Sequence, residues 1–252
     1  MTYNNKIDVD AAAFIAKGIT NATHQKAVNY LCVELKKANL WNKMVAVYPF
    51  VGGTAALHAW NLRNLSQHNI VWQSSPQDMT HNSTGVTPNT STGNLMLSGA
   101  SLPSQSLFHL SYYISASIGA GNVYSFGAGA PQSTLAMELG IFSSQMTFRF
   151  GGVGDSCKRF NSERTGFFLV GLNSNTLGYI YINGTQLAAT SFTSYRRIEN
   201  ASLVMNSRAG SAHGVNNDQY SFCSVGTSLT DDERLILNNI VQQYQTMLGR
   251  AV

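Results

Sequence analysis

Carboxylates come first among the side chains that could do chemistry, because a glycan-cleaving enzyme needs two of them on one side of a cleft, about 5–9 Å apart. The chain has only 12 Asp and Glu residues. Alternate residues of one strand point the same way, yet no strand-like run holds two carboxylates in that arrangement. Glu138 is alone in the middle of its run, and the alternative is a pair of Glu138 with the distant Glu163. We therefore expect no catalytic residues and no enzyme, with a glycan hydrolase as the competing class.

Metal-ligating and nucleophilic patterns are also missing from the sequence. The six histidines form no HxH or HxxxH pair, and the three cysteines are far apart with no CxxC. The glycine-rich GGVGDS at 151–156 lacks the lysine of a phosphate-binding loop. We expect buried free thiols at Cys32 and Cys223, no metal and no cofactor. A calcium loop that uses Asp155 or Asp218 is the alternative.

Aromatic and polar residues at predicted loop edges favour a sugar-binding site. Sugars stack on aromatic rings while amide, imidazole and guanidinium groups bind their hydroxyls. The residues of these types that we expect to bind ligand are Trp60, Trp72, His81, Arg159 and Tyr195. For each of them the alternative is simple packing at the rim of a sheet.

Composition and charge narrow the class of protein. Only 11% of the residues are charged, against about 25% in ordinary soluble proteins, and neutral polar loops such as HNSTGVTPNTSTGN at 81–94 replace them. The net charge is +4, and the lysines and arginines are scattered along the sequence. A nucleic-acid binder instead concentrates positive charge on one face. The longest apolar run, 166–172, is too short to span a bilayer, and the N-terminus has no apolar signal region. We expect neither nucleic-acid binding nor membrane insertion, and synthesis in a cytoplasm.

The elements that must position these residues are mainly strands. About a dozen strand-like runs follow Met44, separated by Gly, Asn, Ser or Pro at the spacing of a β-sandwich, and they include 56–62. Asn183-Gly184 between two alternating runs predicts a type I′ hairpin. We predict an N-terminal helical segment over 1–43 and a jelly-roll β-sandwich over 44–252 that a C-terminal helix closes.

Helical patterns flank the predicted sandwich. Asp10 is placed to cap a first helix that ends at Gly18, and a second helix runs over about 23–39 with the apolar stripe Val28, Leu31 and Leu35. Thr230-Asp231-Asp232-Glu233 fits a capping box for the last helix, whose predicted stripe is Ile236, Ile240, Tyr244 and Met247. There are two alternatives for what these stripes cover. They pack on the sandwich and on each other, or they dock on a second copy of the chain or on another protein of a particle.

The order of these features resembles the concanavalin A-like lectin/glucanase (laminin G, pentraxin-like) jelly roll. The residues that carry the resemblance are the turn Tyr181-Ile182-Asn183-Gly184 and the helix start Leu229-Thr230-Asp231-Asp232-Glu233. The segments 7–31, 40–62 and 216–252 are similar to concanavalin A-like proteins encoded in bacteriophage structural modules.

That resemblance implies a bacteriophage virion protein, such as a tail-fibre or spike head. Together with the neutral polar loops, it leads us to expect attachment to host cell-surface glycan or protein, contacts with other virion proteins and a homo-oligomer. The chain lacks the carboxylate motif of the catalytic branch, which argues against hydrolysis. The alternatives are a glycan hydrolase of this fold and a purely structural capsid or tail protein without a ligand.

Overall fold

The computed structural model describes residues 6–72, 79–88, 95–101, 107–117, 123–129, 136–142, 145–150, 156–160, 163–174, 177–191, 202–205 and 218–252. The helices in this part of the chain are α1 (Val9–Ile15), α2 (Ala22–Lys37), α3 (Ala55–His58) and α4 (Asp231–Met247), with a 3-10 turn over Trp41–Lys43. The strands are β1 (Met44–Tyr48), β2 (Val71–Trp72), β3 (Met79–Asn82), β4 (Gly85–Pro88), β5 (Leu95–Ser101), β6 (Phe108–Ala116), β7 (Val123–Gly129), β8 (Ala136–Phe142), β9 (Gln145–Phe150), β10 (Ser156–Phe160), β11 (Gly166–Ser174), β12 (Leu177–Ile182), β13 (Thr185–Ser191), β14 (Ser202–Met205) and β15 (Gln219–Thr227).

The strands form two antiparallel sheets. Sheet A has the order β13-β12-β11-β6-β15-β4-β3, and sheet B has the order β10-β9-β8-β7-β14-β5-β2. β15 is the centre of sheet A, since it pairs with β6 along one side and with both β1 and β4 along the other. The mainly β sandwich that the sequence predicts, with helices before and after it, is confirmed.

Sheet A is buried on both faces because consecutive side chains of a strand point to opposite sides. Tyr112 and Phe168 stack at 5.0 Å between their ring centroids in the core between the sheets. Their neighbours Tyr113 and Phe167 belong to a second core, where sheet A meets the helices. The molecule therefore has three layers: helices, sheet A and sheet B.

The helices cover the outer face of sheet A. The predicted stripe Val28, Leu31 and Leu35 of α2 is fully buried in the helix-side core. On α4 the buried apolar side chains are Leu237, Ile240, Val241 and Tyr244. Ile236, which the sequence predicts as part of this apolar stripe, is instead 40% exposed. The error is a rotation of the stripe by one position, since Leu237 and not Ile236 precedes Ile240 and Val241 at helical spacing.

Capping side chains set the helix boundaries. Both hydrogen bonds of the predicted capping box are present at Thr230 and Glu233. At the other end of α4, the N–H of Gly249 donates to Thr246 O and that of Arg250 to Gln245 O, which is a Schellman motif. The prediction for α1 was wrong by two residues, because Asp8 is the N-cap and its carboxylate accepts from the N–H of Asp10.

Two turns decide the path of the chain around the sandwich. Asn183 and Gly184 have φ of 48° and 79°, as the predicted type I′ hairpin between β12 and β13 requires. The run 56–62, which we predicted as a strand, instead contains α3. Gly52 and Gly53 turn the chain between β1 and α3 with φ of 90° and 78°. Thr54 then caps α3, because its side chain accepts from the N–H of Leu57. No helix in the described ranges is long and apolar enough to cross a membrane.

Candidate functional site

Two of the predicted ligand-binding residues meet at one edge of the sandwich. Trp72 ends β2, the edge strand of sheet B, and His81 lies in β3, the edge strand of sheet A. Their rings are in contact edge to face, with centroids 4.6 Å apart. Met79, two residues before His81 on the same strand face, is buried in the core between the sheets. The pair thus sits where that core reaches the surface, and we call it the Trp72–His81 edge.

His58 lies behind His81 and holds it. The Nδ1 atoms of the two imidazoles are 3.1 Å apart, a hydrogen bond between side chains separated by 23 residues. His58 is 1% exposed, and its ring packs edge to face on Phe50 with centroids 5.7 Å apart. α3 places His58 there because Thr54 fixes the start of this short helix.

The indole of Trp72 is also fixed in place. Its Nε1–H donates to the carbonyl oxygen of Ala55 at 2.8 Å, and part of the ring packs on the core between the sheets. Trp72 as a whole is only partly buried. The edge therefore combines an aromatic ring held in one orientation with an imidazole.

Burial keeps both imidazoles neutral. It lowers the pKa of His58 to about 3, with further lowering by His81 and Arg250. Burial also lowers the pKa of His81 to about 4. At neutral pH the two rings are hydrogen-bonding groups and carry no charge.

The other predicted ligand-binding residues do not join this edge. Trp60 packs on the helix-side core, under the ammonium of Lys17, which lies 4.2 Å from the ring centroid. Arg159 lies in β10, at the opposite edge of sheet B from Trp72. Six strand spacings of about 4.8 Å separate these two strands. Tyr195 lies outside the described residues.

Sequence reasoning missed His58, although it is the closest polar partner of His81. It lies in the run that we predicted as a strand, and the histidine spacing held no short metal-ligand pattern. The signal that could have found it is local: two glycines followed by Thr54, which is a helix-capping residue type. That reading would have placed His58 on a helical turn.

The alternative chemistries have separate places in the fold. Glu138 lies in β8 of sheet B, whereas Glu163 precedes β11 of sheet A. Asp218 precedes β15, and its burial raises the pKa of its carboxyl to about 6, against the lowering effects of Ser117 and Arg164. The part of the chain that the structure describes contains no group of three or more His, Cys, Asp or Glu side chains placed to hold a metal. Asp155 lies outside that part.

A polar cleft of about 340 Å³ opens at the start of α4. Its cation is Arg234, whose guanidinium lies 3.7 Å from the centroid of the Tyr179 ring. The same guanidinium donates to Asp231, to Asn173 and to the carbonyl oxygen of Leu229. These contacts tie α4 to sheet A, so we assign Arg234 a structural role.

Comparisons with known proteins support the fold. No protein-family model matches the chain, and no curated protein matches it. Among solved structures it is similar to a botulinum neurotoxin serotype D ligand binding domain in complex with N-acetylneuraminic acid, with a TM-score of 0.59, 11% identity and coverage of 80% of this chain and 52% of that one. It is also similar to a mutant of Trypanosoma rangeli sialidase displaying trans-sialidase activity, with a TM-score of 0.57, 12% identity and coverage of 89% and 39%.

The chain thus spans about half of the toxin domain and less of the sialidase. At these identities the likeness concerns the fold. It agrees with the mainly β sandwich that the sequence predicts.

Proposed function

We propose that this protein is a non-catalytic, lectin-like sandwich that binds host cell-surface glycan at the Trp72–His81 edge. The observation that carries the proposal is the fixed, partly buried indole of Trp72 in contact with the imidazole of His81. An aromatic face held in one orientation loses little entropy when an apolar sugar face packs on it. The imidazole beside it supplies a polar group for a hydroxyl or a carboxylate.

Two similarities support this role. One of the solved structures with this fold is a toxin domain in complex with N-acetylneuraminic acid. The sequence also resembles concanavalin A-like proteins of bacteriophage structural modules at both of its ends. We therefore propose a place in a virion, as a fibre or spike head that contacts other virion proteins and assembles as a homo-oligomer.

Binding rather than hydrolysis is part of the proposal. Only 12 carboxylates are present in the whole chain. Of the two weighed as a catalytic pair, Glu138 lies in β8 of sheet B and Glu163 precedes β11 of sheet A. Incubation with host polysaccharide, followed by measurement of reducing ends, tests this point. Released sugar would show a hydrolase, whereas binding without release supports the adhesin.

A glycan array with the wild-type protein and two tryptophan variants tests the site. We expect Trp72→Ala to weaken glycan binding at least tenfold, which corresponds to about 1.4 kcal/mol. Trp60→Ala is the matched control, because Trp60 packs on the other core and contacts Lys17. Circular dichroism checks that both variants fold.

An equal loss of binding in both variants would place the site elsewhere, and no binding of any glycan or host cell by the wild type would refute the proposed function. Mass spectrometry of purified particles tests the virion role, and light scattering tests the oligomer. A chain that is absent from the particle, or monomeric at high concentration, contradicts the corresponding part.

A further inference from the structure

The hydrogen bond between the two imidazoles determines which nitrogen of His81 carries its hydrogen. One of the two Nδ1 atoms, 3.1 Å apart, must donate. His58 Nε2 is buried and has no hydrogen-bond partner. An unpaired buried N–H is rarer in proteins than an unpaired acceptor, so His58 carries its hydrogen on Nδ1 and donates it to His81. His81 then carries its own hydrogen on Nε2.

The Nε2 atom of His81 has no hydrogen-bond partner among the described residues. The only hydrogen bond of this side chain within the described residues is the one that Nδ1 makes with His58, and Nε2 is not among the buried atoms that lack a partner. The nitrogen is therefore accessible to solvent. The indole N–H of Trp72 is already engaged by Ala55. The edge offers an apolar ring and one outward donor, a combination that needs an acceptor on the ligand.

One positive charge, that of Arg250, acts on His58 behind the donor. Arg250 is 4% exposed and donates to the carbonyl oxygens of Phe50 and of Thr84, in the turn that follows His81. Its hydrogen-bond partners are carbonyl and phenol oxygens, and no described carboxylate forms an ion pair with it. The other titratable groups packed around the edge are His58 on α3 and His24 on α2, whose Nδ1 accepts from the N–H of Gly52. The positive potential that Arg250 exerts at His58 favours an anion over a cation at this end of the sandwich.

We propose that the Trp72–His81 edge selects an acidic glycan, whose sugar carboxylate accepts from His81 Nε2–H while its apolar face packs on Trp72. This inference rests on the proposed function and adds the class of sugar. A hydrogen bond to a carboxylate is about twice as strong as one to a hydroxyl, so the donor discriminates between acidic and neutral sugars.

Binding of a carboxylate should also depend on pH. Protonation of His81 puts a second hydrogen on Nδ1, which forces His58 to accept and to move its hydrogen to the buried Nε2. In the free protein, the move of the His58 hydrogen and the burial of the His81 ring both disfavour the protonated form of His81. Burial lowers the pKa of His81 to about 4. A carboxylate beside Nε2 raises that pKa, by about 1–3 units for a close opposite charge. Affinity for an acidic sugar should therefore rise as the pH falls from 7 to 5.

The experiment uses an array of uronic-acid and sialic-acid glycans, each next to the same glycan after chemical reduction of its carboxyl group. We expect binding to acidic glycans, a loss of at least tenfold after reduction, and affinity at pH 5 at least threefold above that at pH 7. His81→Gln keeps an N–H donor but cannot titrate, so it should bind acidic glycans with no rise at pH 5. Circular dichroism at each pH verifies that the protein is folded.

The outcomes separate the two levels of the proposal. Binding that survives carboxyl reduction overturns the acidic-glycan inference and leaves the proposed function in place. A rise at pH 5 that persists in His81→Gln shows that another group controls the pH dependence, and overturns the assigned role of His81. Failure to bind any glycan, neutral or acidic, refutes both.

Discussion

The phenol of Tyr244 and the guanidinium of Arg250 both donate to the carbonyl oxygen of Pro49, at 2.7 and 3.5 Å. Tyr244 and Arg250 lie 195 and 201 residues after Pro49 in the sequence. Because Pro49 follows β1 directly, this contact fixes the end of the chain to the segment that leads into α3. The stability of that segment therefore depends on Tyr244 and Arg250.

Replacement of Arg250 should destabilise the fold. Arg250→Met removes the donors of the Phe50 and Thr84 carbonyl oxygens, and unpaired buried acceptors cost about 1–3 kcal/mol each. We expect the free energy of unfolding to fall by about 3 kcal/mol in urea titrations. Lys37→Met is the control, because the Lys37 side chain is 66% exposed. A change below about 0.5 kcal/mol in Arg250→Met would contradict this assignment.

The side chain of Asn61 makes hydrogen bonds with the backbone of β1 that a neighbouring strand would otherwise make. This fully buried side chain accepts from the N–H of Val47 and donates to the carbonyl oxygens of Val45 and Gln67. Asn61→Ala should lower the free energy of unfolding by about 2–4 kcal/mol. Ser66→Ala, at an exposed position of the same loop, should have no measurable effect. Equal midpoints for the two variants would show that water replaces the amide.

Gly171 is required by packing and not by backbone conformation. A Cβ atom on Gly171 would lie 2.2 Å from the carbonyl oxygen of Phe108 and 2.4 Å from the hydroxyl of Tyr179. Gly171→Ala should therefore cost about 3 kcal/mol, at the upper end of overpacking effects. Gly249→Ala is the matched control, because a Cβ there meets nothing within 4 Å but the φ of 67° is unfavourable. We expect about 1 kcal/mol for the control, and a larger loss there than at Gly171 would overturn the packing argument.

Stability should fall as the solution becomes acidic. Burial lowers the pKa of His58 to about 3 and those of His81 and His109 to about 4. The unfolded chain, with histidine pKa near 6.5, then binds more protons than the folded one below that pH. Stability from these neutral imidazoles is complete above pH 6.5 and is lost as the pH falls towards 4. Each imidazole accounts for about 2 kcal/mol between pH 7 and pH 5, so with an opposing contribution of about 1 kcal/mol from Asp218 we expect a net loss of about 4 kcal/mol in urea titrations.

Asp218 has the opposite effect on the pH dependence of stability. Its pKa is raised to about 6 in the folded protein, so the folded state binds this proton at a higher pH than the unfolded state does. One carboxyl offsets only part of the effect of three imidazoles. His109→Gln is informative here, since it removes one of the three titrating groups and should flatten the pH profile. A wild-type protein that is more stable at pH 5 than at pH 7 would contradict the prediction.

Local chemistry predicted the fold better than the site. The capping box at Thr230 and the hairpin at Asn183-Gly184 depend on residues adjacent in sequence, and both are confirmed. The predicted stripe on α4 was displaced by one residue, because Ile236 and Leu237 are both strongly apolar. Only packing against sheet A determines which of the two is buried. The free, buried thiols of Cys32 and Cys223 are as predicted.

The contact of Trp72 with His81 depends on long-range pairing. The two strands belong to different sheets, and only the closure of the sandwich brings their edges together. His58 adds a partner from a helix that the sequence pattern had presented as a strand. Distances between such elements follow from strand order, which the spacing of apolar residues does not encode.

The central place of β15 in sheet A has a consequence for synthesis on the ribosome. β6, β4 and β1 all pair with this strand, which the ribosome makes only after it has synthesised more than 200 residues. Until then these three strands lack their common neighbour, and the apolar residues on both of their faces stay available to other chains. Non-local pairing of this kind is slow and prone to aggregation. We expect expression at low temperature or with a chaperone to raise the soluble yield more than any change to the helices.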